Sequence, residues 1–206
     1  EYLDFGLHGW AMSRYSGLWV AMKCVTDIVE SSASVDIDLQ RVRIALPDDF
    51  ILPQGGLGIR WPDSPMEQEK RMMEYKWPAA VAYVRANHLN RIVFNPPQAK
   101  LGLVSAGKAY LDLRQALQDI GLDNTACAQL GIRLLKVGCI WPMDVQGLRD
   151  FSAGLEEIFV VEEKLPLLES GLKDALYALS GPRPRIFGKT DEALLPKAGE
   201  LNPAIL

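Results

Sequence analysis

The stretch at residues 100–118, KLGLVSAGKAYLDLRQALQ, constrains the fold more than any other part of the sequence. It opens with a short apolar run at residues 101–104, which is typical of a strand buried on both faces of a parallel sheet. A turn of small residues follows, and then apolar residues recur at the spacing of one helix face: Ala109, Leu113, Ala116, Leu117 and Ile120. The stretch therefore predicts a strand followed by a helix, the first half of a βαβ unit.

The same strand-then-helix pattern occurs twice more along the chain. A second strand-like run at residues 132–140, IRLLKVGCI, precedes Asp144, a helix N-cap candidate, and a helical pattern of Val145, Leu148, Phe151 and Leu155. A third run at residues 157–161, EIFVV, leads into a helical pattern of Leu165, Leu168, Leu172, Leu176 and Leu179. This alternation predicts an α/β fold, a three-layer parallel sheet with right-handed crossovers.

The first half of the chain has fewer regular elements. We predict a helix at the N-terminus, a buried strand at residues 18–25, and extended structure where Val35, Ile37, Leu39, Val42 and Ile44 alternate. Residues 47–65 contain four prolines and three glycines but also many apolar side chains, so we expect an ordered connecting arm. A helical pattern at residues 66–89 follows, with Pro78 either dividing it or opening its second part.

Composition and charge exclude several classes of function. The 206 residues have a formal net charge of -4 with scattered basic residues, which gives no electrostatic reason to expect nucleic acid or an anionic membrane as partner. No apolar run approaches the roughly 18 residues of a membrane span. The three cysteines, Cys24, Cys127 and Cys139, show no paired spacing, so we expect free thiols in a reducing, cytoplasmic compartment and no metal site.

The segment from Gly102 to Lys108, GLVSAGK, fits the spacing of a phosphate-binding P-loop except at its last position. Ala109 stands where a Ser or Thr would hold magnesium, and Gly102 falls inside the strand, so a nucleoside triphosphatase is disfavoured. Two interpretations remain. The turn and Lys108 could form a generic anion site at the start of a helix, or the turn could simply carry a solvated lysine.

Further charged residues follow the third strand. Glu162, Glu163 and Lys164 lie at the carboxyl edge of the sheet, where open α/β folds bind ligands. Adjacent strand residues face opposite ways, so only one carboxylate could face a cleft, and either could instead cap the next helix. His8 and His88 have no catalytic partner at a suitable spacing, so we expect structural roles for both.

Several blocks in order carry a family resemblance: EYLDFGLHGWAMSRYSGLWVAMKCVTDIVESSASVDID, SAGKAYLDLRQAL, RLLKVGCIWPMD, LEEIFVVEEK, RPRIFGKTDEA and GELNP. Together they resemble the 2-oxoacid:ferredoxin oxidoreductases, most closely the long, fused indolepyruvate type. The resemblance implies an oxidoreductase that decarboxylates an aryl 2-oxo acid. In this family thiamine diphosphate attacks the keto carbon, electrons pass through iron-sulfur clusters to ferredoxin, and coenzyme A accepts the acyl group.

The resemblance also implies a domain organisation in which this chain is an internal part of a longer protein. Residues 1–46 resemble the end of a pyrimidine-type thiamine domain, and residues 47–98 are the connecting arm and its helices. Residues 99–181 resemble the transketolase C-terminal-like domain, and residues 182–206 lead into a following domain. The partners implied are ferredoxin, coenzyme A, the other domains of the same protein and a second copy in a homodimer.

The family's catalytic motifs do not match this sequence. It has no Gly-Asp-Gly motif for magnesium and the diphosphate of thiamine, and no cysteine set for a cluster. We therefore predict that thiamine diphosphate, magnesium and the clusters bind elsewhere in the complete enzyme and that the chain alone is inactive. The ligand residues predicted are Ser105, Gly107 and Lys108, as a coenzyme A phosphate contact. A non-catalytic scaffold and a stand-alone flavodoxin-like nucleotide-binding module remain alternatives.

Overall fold

The computed structural model of the protein describes residues 1–38, 40–190 and 193–206. These residues form two compact units, Glu1–His88 and Leu89–Leu206, named here the N-terminal unit and the C-terminal unit. Leu39, part of the alternation predicted to be extended, lies outside the described residues. Within the described ranges, no helix is both long enough and apolar enough to span a membrane.

The N-terminal unit is helical where it has regular structure. Its helices are α1 (Tyr2–Ser16), α2 (Thr26–Val29), α3 (Pro65–Arg71) and α4 (Trp77–Ala86), and a π-helical turn, Met72–Lys76, joins α3 to α4. The predicted N-terminal helix and the predicted helical region after the arm are both confirmed. The predicted division near Pro78 is also confirmed, because α4 has this proline in its first turn.

Local sequence explains the start and the irregularity of the second helical region. The Ser64 side chain accepts a hydrogen bond from the Glu67 backbone, and the Glu67 side chain accepts one from the Ser64 backbone, which is a capping box with proline at the first helical position. Pro78 has no N–H and cannot donate to a carbonyl one turn earlier. The π-helical turn lies directly before it, where the regular hydrogen-bond pattern cannot continue.

The strand predicted at residues 18–25 is wrong. These residues form neither helix nor strand, and Trp19 is fully exposed. Among its described residues the N-terminal unit contains no strand that could pair with this segment. An extended segment without partner strands leaves its backbone groups unpaired, so its apolar pattern alone cannot form a sheet.

The C-terminal unit is built on a five-stranded sheet in the order β1-β3-β2-β4-β5. The strands are β1 (Arg91–Phe94), β2 (Leu101–Ala106), β3 (Ile132–Val137), β4 (Glu157–Val161) and β5 (Arg185–Phe187). All neighbours pair in parallel except β1, which is antiparallel to β3. The α/β prediction and its three strands are confirmed, but the sheet is not wholly parallel.

The sheet extends beyond residues 99–181 at both ends. β1 lies among residues predicted as the connecting arm, and β5 among those predicted as an exit segment. Both are edge strands of only four and three residues. Short edge strands need little apolar periodicity, so the sequence pattern did not separate them from loops.

Helices cover both faces of this sheet and give the predicted three layers. They are α5 (Gly107–Asp119), α6 (Asn124–Gln129), α7 (Val145–Ser152) and α8 (Leu167–Tyr177). Leu103 and Leu134 belong to the apolar cluster that contains α5 and α6 residues. Their sequence neighbours Val104 and Leu135 belong to the opposite cluster, with α7 and α8 residues. Alternate strand residues thus point to opposite layers, as the pleat requires.

Gly102 lies where β2 meets the α7 layer, and its lack of a side chain is needed there. A Cβ at this position would lie 2.6 Å from Leu155 Cδ1 and 3.1 Å from the Phe151 ring. The glycine therefore permits close packing inside a strand.

We expect Gly102→Ala to lower the free energy of unfolding of the C-terminal unit by about 1–3 kcal/mol, because the added methyl group overpacks the core. Urea unfolding followed by circular dichroism measures this loss. Gly6→Ala is the control, since a Cβ at Gly6 meets nothing within 4 Å. Equal stability of the two variants would contradict the packing role of Gly102.

Candidate functional site

The candidate site is at the carboxyl edge of the sheet, where the adjacent parallel strands β2, β4 and β5 end side by side. Strand order places β4 between β2 and β5. The residues that follow these strands include Lys108, Glu162, Glu163 and Lys189. Carboxyl ends of parallel strands are the usual ligand position in open α/β folds. The structure therefore gathers the predicted charged residues at the expected edge.

The last residues of the chain cover this edge. The Leu195 backbone N–H donates to the Gly188 carbonyl at 3.1 Å, and the Leu201 N–H donates to Glu163 Oε1 at 3.3 Å. Leu195 and Leu201 are almost completely buried and join the apolar cluster of the α5 layer. Their burial anchors residues 195–201 to the sheet through apolar packing as well as hydrogen bonds.

Lys108 is the centre of the polar contacts at this edge. Its ammonium group lies 3.1 Å from Asp112 Oδ2, 2.7 Å from Glu200 Oε1 and 3.6 Å from Glu163 Oε1. It also donates to the Leu201 carbonyl. Only 14% of its side chain is exposed. Lys108 is thus neither solvated nor open to an external anion in this structure.

The acidic neighbours change the protonation equilibria of the cluster. Burial lowers the pKa of Lys108, but hydrogen bonds and attraction from Glu200 and Asp112 outweigh it and raise the pKa well above its usual value. Burial raises the pKa of Asp112, and repulsion from Glu163 and Glu200 adds to this rise. The hydrogen bond and attraction from Lys108 oppose it. The pKa of Glu200 is lowered, chiefly by its hydrogen bond to Lys108. Lys108 therefore stays charged across the physiological range.

The other two predicted ligand residues have different environments. Ser105 is completely buried and its hydroxyl donates to the Val161 carbonyl at 2.7 Å, which ties β2 to β4. Gly107 has φ 56°, and a Cβ added there would meet nothing within 4 Å. Ser105 is therefore turned into the sheet, and only Gly107 of the three is unencumbered. The coenzyme A contact predicted for them stays a prediction, which the geometry of Lys108 does not favour.

Glu162 caps a helix. Its two carboxylate oxygens accept from the Leu168 and Glu169 backbone N–H groups at 2.8 and 2.9 Å. Burial raises its pKa, and the backbone hydrogen bonds at the start of α8 oppose this rise. Of the two roles considered for Glu162 and Glu163, facing a cleft or capping the next helix, Glu162 therefore has the capping role.

A second buried polar network joins α8 to the loop after β5. Glu169 accepts from the Lys189 backbone N–H at 2.7 Å, from Lys173 Nζ at 2.8 Å and from the Thr190 hydroxyl. Burial raises its pKa, but the bonds from Lys173, Thr190 and Lys189 outweigh this and lower it to about 2. Lys189 is fully buried and donates to the Pro196 carbonyl. Glu169 thus fixes Lys189 and Thr190, which follow β5.

The structure excludes the P-loop interpretation. Residues 102–106 lie within β2, so no loop is available to wrap a phosphate chain. The lysine that should reach a phosphate is bound by carboxylates. The GLVSAGK spacing is therefore a consequence of a strand, a turn and a helix that pack closely.

The histidines and cysteines form no catalytic set. His8 Nδ1 lies 3.1 Å from the Tyr83 hydroxyl, and burial lowers the pKa of its imidazole against a small opposing effect of Asp4. His88 has φ 50° just after α4. Cys24 is exposed, Cys127 is buried and Cys139 is intermediate, and all three thiols are free. Cys139 lies two residues beyond the end of β3, which is parallel to β2, and Cys127 lies in α6.

The cofactors implied by the family resemblance do not fit the residues described. No group of three or more His, Cys, Asp or Glu residues within residues 1–38, 40–190 and 193–206 could hold a metal ion. A phosphate at Lys108 would meet the carboxylates of Asp112, Glu163 and Glu200. Lys108 is therefore not available to the diphosphate of thiamine, the described residues hold no group of metal ligands, and we derive no step through either cofactor.

Comparison with known proteins gives the chain's family. The model of the indolepyruvate oxidoreductase domain matches residues 91–206, more than half of the chain. The chain belongs to this family. The match covers β1 and the whole sheet, together with the covering residues at the C-terminus.

Relatives of the family align beyond this domain. Subunit IorA of indolepyruvate oxidoreductase from Methanothermobacter thermautotrophicus is 26% identical over 214 aligned residues, which cover 100% of this chain and 31% of the relative. The IorA subunit from Pyrococcus abyssi is 30% identical over 118 residues, covering 55% of this chain and 17% of the relative. The chain thus spans less than a third of the length of these curated relatives.

Solved structures with lower similarity were also found. A 2-oxoglutarate:ferredoxin oxidoreductase from Magnetococcus marinus, with 2-oxoglutarate, coenzyme A and succinyl-CoA bound, has 17% identity and a TM-score of 0.41 over 68% of this chain and 22% of its own. An inactive β4 tetramer of a split-gene transketolase has 15% identity and a TM-score of 0.38 over 50% of this chain and 32% of its own.

Sequence reasoning missed most partners of the two networks. Asp112 and Lys173 were accessible to it, because each lies four residues from its ionic partner on one helix. The contacts of Glu200 and Lys189 could not be predicted in this way. Glu200 lies 92 positions from Lys108, and Lys189 lies 7 positions from Pro196, in loops without periodicity. No local pattern encodes such pairs.

We expect the C-terminal unit to lose stability as pH falls from about 4.5 towards 2. The pKa of Glu169 is lower in the folded state, so its contribution is complete above its unfolded value and disappears through its folded value of about 2. The loss corresponds to roughly 3 kcal/mol. Urea unfolding at several pH values should show that Glu169→Gln is less stable at pH 7 and has a flatter pH profile. Glu157→Gln, at an exposed position on β4, is the control. If the dependence of stability on pH were unchanged in Glu169→Gln, the stabilising role of Glu169 would be contradicted.

Proposed function

We propose that this chain is part of an oxidoreductase that oxidatively decarboxylates an aryl 2-oxo acid such as indolepyruvate. In this proposal coenzyme A accepts the acyl group and ferredoxin accepts the electrons. The observation that carries it is the family match over residues 91–206, and the alignment of the whole chain to an IorA subunit supports it. Because those relatives are at least three times longer, the activity is assigned to the complete enzyme.

Within that enzyme we assign a framework role to the C-terminal unit. At the sheet edge Glu162 accepts from helix N–H groups, Lys189 donates to the Pro196 carbonyl, and Lys108 has three acidic neighbours. The contacts that these groups make hold the helices, the strands and residues 195–201 together, which is a structural role. Thiamine diphosphate, magnesium and iron-sulfur clusters would then be bound by residues outside this chain, and the chain alone would be inactive. The flavodoxin-like alternative gains no support, because the first βα turn carries no open phosphate site.

The complete enzyme containing this chain should reduce a viologen dye or ferredoxin under anaerobic conditions. We expect this reduction to require indolepyruvate and coenzyme A together, and to be slower with 2-oxoglutarate. The chain alone should give no reduction above the background of a heat-treated sample. Absence of turnover with any aryl 2-oxo acid, or activity of the chain alone, would contradict the proposal.

The exposed apolar side chains of the N-terminal unit support the idea that other parts of the enzyme pack against it. Trp19 is fully exposed, Trp61 is 92% exposed and Ile51 is 91% exposed. Single exposed apolar residues are ordinary, but several large ones in one 88-residue unit support the idea that a partner covers them. We propose that the remaining domains of the enzyme, or a second copy in a homodimer, cover it.

We expect acrylamide to quench the tryptophan fluorescence of the chain alone strongly, because four of its five tryptophans are exposed. In the complete enzyme the quenching assigned to Trp19 and Trp61 should fall several-fold. Subtracting the signals of Trp19→Phe and Trp61→Phe variants isolates those two side chains. Trp141→Phe, in the C-terminal unit, provides a comparison. Equal quenching of Trp19 in the chain and in the enzyme would show that its surface stays uncovered.

A further inference from the structure

The carboxyl edge of the sheet is occupied by a later segment of the same chain. Residues 195–206, named here the strap, include two almost fully buried leucines, Leu195 and Leu201. The last residue, Leu206, packs against the same apolar cluster. The strap thus lies over the positions where β2 and β4 end, which is the place that ligands take in open α/β folds.

Two lysines, one partly buried and one fully buried, hold the strap through its main chain. Lys108 donates to the Leu201 carbonyl, and Lys189 donates to the Pro196 carbonyl. Glu200 adds an ionic contact to Lys108 at 2.7 Å. In return, the Leu201 N–H donates to Glu163 Oε1. Polar contacts therefore fix the strap at both of its buried positions.

The balance of charge explains why Lys108 binds the strap and not an external anion. Asp112 and Glu163 already lie within ion-pair distance of its ammonium group. A phosphate brought to this point would add negative charge to a partly buried site that already holds two or three carboxylates. The strap offers a neutral carbonyl and one carboxylate that is 60% exposed to water.

We propose that residues 195–206 are a strap that closes the carboxyl edge of the sheet and that Lys108 is the latch that positions it. The cluster of Lys108, Asp112, Glu163, Glu200 and the Leu201 backbone is the structural basis of this inference. It concerns the architecture of this chain, and it stands whether or not the substrate proposed above is correct.

Hydrogen exchange followed by mass spectrometry tests the latch. In the wild-type chain we expect slow exchange at strap amides such as those of Leu195 and Leu201. Lys108→Met should speed exchange of the strap by about tenfold to a hundredfold, because it removes charge-assisted hydrogen bonds. The amides of β2 and β4 should keep their protection, which shows that the variant remains folded.

Matched variants separate the latch from general effects of charge. Lys100→Met removes a lysine whose side chain is 68% exposed and whose partner is the surface residue Glu156, so strap exchange should not change. Glu200→Gln should produce a smaller acceleration than Lys108→Met, because the bond from Lys108 to the Leu201 carbonyl remains. Strap exchange in Lys108→Met equal to that of the wild type, with the sheet protected in both, would overturn the proposal.

Titration with coenzyme A tests the alternative role of Lys108, which is to bind a phosphate group of coenzyme A. Isothermal titration should show no tighter binding of coenzyme A to the wild type than to Lys108→Met. Coenzyme A binding that is lost in Lys108→Met, together with a strap equally protected in both proteins, would overturn the latch. That result would support the phosphate contact predicted from the sequence.

Discussion

Strand β2 is the strand on which the C-terminal unit depends, because it is hydrogen-bonded to a neighbour on each edge and buried on both faces. It pairs with β3 along six positions and with β4 along five. Leu103 packs into the α5 layer and Val104 into the α7 and α8 layer. Such a strand has no surface on which a polar residue could reach water. The one hydroxyl it carries, on Ser105, is satisfied by the neighbouring Val161 carbonyl.

The position of β2 also determines the chemistry of the sheet edge. Because β2 and β4 are adjacent and in parallel register, Lys108 and Glu163 come to the same end of the sheet from separate βα units. Once the C-terminal residues cover that end, an unpaired charge there would cost free energy. The structure meets this requirement with paired groups: Lys108 with its carboxylates, Glu162 with helix N–H groups, and Glu169 with Lys173.

The sequence predicted the parts of this fold that repeat locally. The runs at residues 101–104 and 157–161 and the leucines of α8 follow helix or strand periods, and each forms the predicted element. The run at residues 18–25 has an equally apolar pattern, yet it forms no strand. The difference is physical: β2 and β4 find partners within the same unit, whereas residues 18–25 have no strand beside them among the described residues. Periodicity indicates what a segment can form, and pairing decides whether it does.

The same reasoning predicted some residues of the candidate site but not their partners. The sequence placed Lys108, Glu162 and Glu163 at one edge, because topology follows from the βα repeats. It did not reveal that Glu200 and Leu201 return to that edge from the C-terminus. A lysine after a βα turn is an anion site only if its surroundings are neutral or positive. Here three carboxylates surround it, so the same residue that suggests a phosphate ligand from its position becomes a structural contact through its neighbours.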